Sequence, residues 1–142
     1  MLKIQNKRFV YLISPTRIQE NTFFKSLELV FKSKKVSFFQ LRLKNEKLSK
    51  KIIISKKIIK ICRKYNVKFL VNDDPILALK VNADGCHLGQ KDMSIIEAKK
   101  ILKNKIIGIT CHNSIILSKK ALMNGANYIA VGAFYKTKTK RI

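Results

Sequence analysis

The sequence predicts an α/β protein built from repeated β/α units around a parallel sheet. Short apolar, β-prone runs alternate with longer amphipathic ones, and the unusual polar residues fall just after the apolar runs. Strands are expected at 9–14, 36–42, 68–72, 85–88, 106–111 and 128–133, with five helices between them. Ile54, Ile58, Ile61 and Tyr65 recur at i, i+4, i+7 and i+11, so 49–65 presents one apolar stripe with lysines opposite. Asp74 before Pro75 reads as an N-cap and first helical residue, and Ser94 with Glu97 three positions on is a capping box. Gly125 suits the left-handed stop of a helix over 114–124.

The chain has 142 residues and is 46% hydrophobic, enough to bury a core as a single domain over 1–142. Lys and Arg outnumber Asp and Glu by 31 to 8, a net charge of +23 that favours an anionic partner. Nucleic acid, an acidic membrane and a phosphorylated metabolite all meet that description. The lysines are spread along the chain, however, which fits compositional drift as well as function. The eight Phe residues sit mostly in apolar runs rather than among the basic residues, so no nucleic-acid partner is expected. Cys62, Cys86 and Cys111 have no metal-ligand spacing and read as reduced core fillers. No apolar run approaches the ~20 residues that span a bilayer, and residues 1–10 are too polar for an export signal. A soluble, cytoplasmic protein without a membrane partner is therefore expected.

In β/α folds the carboxyl ends of the strands carry the active site, and here those ends are polar. Gln40, Arg42 and Lys44 are two apart and would project to one side of an extended segment, where a guanidinium and an ammonium could hold phosphate oxygens. The competing reading is an edge strand with solvated charges. Asn72 and Asp73 close the next strand, and Asp92 follows 85–88 by four residues. With a diphosphate, the carboxylates of Asp73 and Asp92 make a seat for Mg²⁺. Asp74 is assigned to capping, Asp84 to a turn and His87 to structure. Thr110 and His112 close the fifth strand, with His112 either a general acid/base or a hydrogen-bonded rim residue. The 137–141 run of hydroxyls and cations could embrace a phosphate or form a disordered basic tail. Neither GxGxxG nor GxxxxGK[ST] occurs.

Five segments in order, Gln40-Leu41-Arg42-Leu43-Lys44, Asn72-Asp73, Ala83 through Asp92 with its HLGQ-x-D block, Gly125-Ala126-Asn127-Tyr128 and Thr137-Lys138-Thr139-Lys140, resemble the thiamine phosphate synthase family. The resemblance spans nearly the whole chain. It implies a TIM (β/α)8-barrel transferase of thiamine biosynthesis, here incomplete with about six β/α units. Such an enzyme joins 4-amino-2-methyl-5-(diphosphooxymethyl)pyrimidine to 4-methyl-5-(2-phosphooxyethyl)thiazole and releases diphosphate. By carry-over, Gln40, Leu41, Arg42, Leu43, Lys44, Asn72, Thr110 and Lys140 hold the pyrimidine diphosphate. Thr137, Lys138 and Thr139 hold the thiazole phosphate, and Asp73 and Asp92 bind Mg²⁺. Arg42, Lys44 and Lys140 are the catalytic cations, because a dissociative reaction needs charge stabilisation on the leaving group rather than a nucleophile.

Two departures stand out. Leu43 occupies a position where the family commonly has an acidic residue, and Thr110 one where many members have Ser. A full barrel has eight β/α units, so a truncated chain that is inactive or poorly stable alone is expected. The alternatives are a thiazole tautomerase-like relative and an inactive anion-binding fragment. A homo-oligomer is compatible with the sequence.

Overall fold

The computed structural model describes residues 8–133 and 135. Within them six strands and five helices alternate without exception. The chain divides into two compact units, Met1–Phe69 and Leu70–Ile142.

In the first unit β1 (Val10–Ile13) pairs in parallel with β2 (Val36–Leu41), joined by α1 (Glu20–Lys32) and followed by α2 (Leu48–Lys64). The stripe expected on α2 is buried at Ile54 and Ile58, and Cys62 completes it. Phe31 and Phe39 meet edge to face with centroids 5.9 Å apart, and Phe39 stacks on Phe69 at 6.5 Å. These aromatic contacts add to the area-driven stabilisation of the core. Lys57–Glu20 and Lys64–Glu28 link α1 to α2, but both pairs are solvated and contribute little.

β3 (Lys68–Asn72) begins at the end of the first unit and runs into the second. There it is followed by α3 (Pro75–Lys80), β4 (Gly85–Leu88), α4 (Ile95–Leu102), β5 (Ile106–His112), α5 (Ile115–Met123) and β6 (Tyr128–Val131). β3, β4, β5 and β6 are successive parallel neighbours. Every residue of β4 is buried, as expected for an inner parallel strand covered on both faces. Gly85 permits the close approach of β5, since a Cβ there would overlap the Ile106 carbonyl.

The helix signals act as anticipated. Asp74 Oδ1 accepts the Leu77 N–H at 2.8 Å, and Pro75 occupies the first turn of α3. Ser94 and Glu97 form the full capping box, and Gly125 follows α5 with φ +83°. Four strands differ from expectation in their ends. β1 is shorter at both ends, β2 stops at Leu41 and β6 at Val131. β5 extends one residue further, to His112, whose φ of 51° ends the ladder. Among the described residues no helix is long and apolar enough to cross a membrane.

Candidate active site

In the first unit the Gln40–Lys44 segment splits by environment. Gln40 is only 2% exposed, Arg42 is half-buried and Lys44 is open to solvent, while Leu41 and Leu43 lie in the core. Gln40 belongs to β2 and to the interior, whereas Arg42 and Lys44 follow the strand. Leu43 is buried, where an unpaired carboxylate would be costly. Ser14, which the sequence reading did not single out, ties this segment down. Its Oγ accepts the Arg42 N–H at 2.9 Å and donates to the Pro15 carbonyl, and its own N–H donates to the Gln40 carbonyl. A small hydroxyl residue ending an apolar run before Pro15 is the signal that could have found it.

The second unit gathers the remaining described candidates at the carboxyl ends of its strands. Strand register places Asn72, His87, Gly108 and Tyr128 side by side across β3, β4, β5 and β6. Side chains in register in a parallel sheet share a face, and Thr110, two residues beyond Gly108, shares it too. Asp73 follows with φ 62°, a left-handed conformation unusual for a residue with a side chain, and its N–H donates to the His87 carbonyl at 2.8 Å. Asp92 turns back on its own loop, where Oδ2 accepts the Gly89 N–H at 2.6 Å. A Cβ added at Gly89 would stand 2.8 Å from that same oxygen, so the Asp92 side chain would have to shift.

The Cys86 thiol is pushed well above its ordinary value, first by burial and then by the fields of Asp73, Asp74 and Asp92. Among the described residues no cluster of three or more His, Cys, Asp or Glu side chains is placed to hold a metal. Asp73 and Asp92 are both exposed.

His87, assigned to structure, is 8% exposed and hydrogen-bonded at both ring nitrogens. Nδ1 lies 2.8 Å from Tyr128 Oη and Nε2 2.9 Å from Thr110 Oγ1. Sequence reasoning missed Tyr128, whose ring lies over Gly108 to reach across β5. A glycine inside an apolar strand was the available signal. Gln90 Nε2 donates to the Thr110 carbonyl at 2.6 Å. His112 sits at the strand end, half-buried. Thr137, Lys138, Thr139 and Lys140 lie outside the described residues.

Parallel β/α repeats with polar and acidic side chains after the strands define a protein of the α/β class, whose ligand sites lie at the strands' carboxyl ends. The comparisons make this specific. Residues 10–142 match the family described as thiamine monophosphate synthase. A thiamine-phosphate synthase of Pelagibacter ubique is 67% identical over 137 residues, covering 96% of this chain and 66% of the relative. One from Saccharophagus degradans is 38% identical over 138 residues, covering 95% and 63%. Among solved structures, the thiamine phosphate pyrophosphorylase from Pyrococcus furiosus matches with a TM-score of 0.80 at 31% identity, over 89% of this chain and 61% of that one. The chain belongs to the thiamine monophosphate synthase family. Its TIM-like α/β fold is thereby shown. It spans just under two thirds of the length of these relatives.

Proposed function

We propose that the chain serves the synthase reaction, in which the pyrimidinylmethyl group passes from its diphosphate to the thiazole nitrogen to give thiamine phosphate and diphosphate. The observation that carries this reading is the 67% identity to a thiamine-phosphate synthase across 96% of the chain. It is supported by the exposed carboxylates of Asp73 and Asp92, which follow β3 and β4. Departure of diphosphate builds negative charge, so groups that stabilise charge lower the barrier and no nucleophilic side chain is required. Arg42 and Lys44 supply cations to that leaving group, and Lys140 adds a third by the family resemblance. Gln40 and Asn72 orient the pyrimidine diphosphate, and Thr110 donates to it. Leu41 and Leu43 line the backbone that carries Arg42. Thr137, Lys138 and Thr139 hold the thiazole phosphate. Asp73 and Asp92 would hold Mg²⁺, which would neutralise diphosphate charge. A cytoplasmic location fits such substrates.

Calorimetric titration of the chain with the pyrimidine diphosphate, with and without Mg²⁺, tests the reading together with chromatographic detection of thiamine phosphate. Metal-dependent binding that Asp92→Asn weakens by tenfold or more, on the order of one lost charged contact, is the expected result. Binding indifferent to Mg²⁺, or isomerisation of the thiazole phosphate alone, would replace it with the tautomerase reading.

A further inference from the structure

We propose that His87 is a positioning residue, held by Tyr128, that makes Thr110 a hydrogen-bond donor to an anionic oxygen of the ligand. The inference rests on the proposed function insofar as Thr110 meets that anion.

The geometry comes from register. His87 and Tyr128 are each the lateral neighbour of Gly108, on β4 and β6. Gly108 has no side chain, so the phenol ring crosses above it and lies against the imidazole, with centroids 5.6 Å apart and planes inclined by 28°. Tyr128 Oη and Thr110 Oγ1 then occupy the two ring nitrogens. A neutral imidazole has one donor nitrogen and one acceptor, so the two bonds run in one direction or the other.

In one direction Tyr128 donates to Nδ1, Nε2–H donates to Thr110, and the Thr110 hydroxyl proton stays available. In the other direction Thr110 spends its proton on Nε2 and presents only lone pairs, which repel an anion. A phenol, with a pKa of about 10, is far more acidic than an aliphatic alcohol and is the better donor to an imidazole lone pair. The first direction is therefore selected by the protein itself before any ligand arrives. Gln90 holds the Thr110 carbonyl, so the hydroxyl's carrier is fixed as well. Tyr128 touches no substrate in this scheme. It acts through His87, and His87 acts through Thr110.

Only two histidines occur in the chain, so ring ¹⁵N labelling with long-range ¹H–¹⁵N correlation resolves His87 directly. The expected spectrum shows Nε2 protonated and Nδ1 unprotonated in the ligand-free protein. Tyr128→Phe should turn this into a tautomer mixture while leaving the far-UV circular dichroism unchanged. Thr110→Val should weaken binding of inorganic diphosphate with Mg²⁺ by about tenfold, the worth of a hydrogen bond to a charged group, while Thr110→Ser retains it. A proton on Nδ1, or on both nitrogens, overturns the proposal. So does a Tyr128→Phe variant whose tautomer and diphosphate affinity both match the parent. Failure of the unmutated chain to bind diphosphate or the pyrimidine diphosphate would count against the proposed function and the anion contact, while the ring spectrum still decides the direction of the bonds.

Discussion

Gly108→Ala isolates the contact on which the Tyr128–His87 arrangement depends. The three atoms nearest an added Cβ all belong to the Tyr128 ring, and each overlaps it. Two responses are open. The phenol can swing away and lose its 2.8 Å bond to His87, leaving a buried ring nitrogen unpaired, at about 1–3 kcal/mol. Alternatively the ring stays and β5 and β6 separate, an overpacking strain of about 1–3 kcal/mol. Either route gives a loss of about 2 kcal/mol, equivalent to a fall in Tm of roughly 4–8 °C for a domain near this size. Urea denaturation of four proteins measures it: parent, Gly108→Ala, Tyr128→Ala and the double variant. In the Tyr128→Ala background the methyl no longer meets the ring, so the second substitution should cost little. The cycle should therefore show a coupling of about 1–3 kcal/mol. Strict additivity, or a Gly108→Ala loss below roughly 0.5 kcal/mol, would refute the steric argument.

Two further tests concern local signals. Asp74→Ala should destabilise the chain by about 1 kcal/mol through loss of the α3 cap, and Asp74→Asn should restore most of it, both read by thermal denaturation. At α4, the Glu97 carboxyl is held below the usual carboxylate range by hydrogen bonds from the Ser94 hydroxyl and then the Ser94 N–H. Because the folded-state value lies below the unfolded one, the contribution is complete above the unfolded value and disappears as pH falls through the folded value. The stability advantage of the parent over Ser94→Ala should accordingly shrink on acidification through that window, as followed by denaturation at several pH values. A gap independent of pH would show that the capping carboxylate is not responsible.

Much of the architecture was readable because it is encoded locally. A capping residue and the amide it satisfies lie three positions apart, and a helix stripe repeats within four. Asp74, Ser94, Glu97 and Gly125 therefore announced the ends of their helices, and the alternation of apolar runs announced the β/α repeat. Strand ends were less legible. β2 stops at Leu41 and Arg42 is pinned by Ser14, a residue 28 positions away, so nothing near Arg42 in the chain marks the boundary.

By itself the sequence determined the β/α repeat, the helix caps, the family resemblance and which acidic and basic residues are candidates for anion and metal chemistry. Tertiary structure alone decided that Gln40 is interior while Lys44 is solvated, and that His87 bridges Tyr128 and Thr110. The reason is the register between strands. His87 and Tyr128 are 41 residues apart in the chain, and only parallel pairing through β5 brings them onto one row, over the one position in that strand where a missing side chain leaves room.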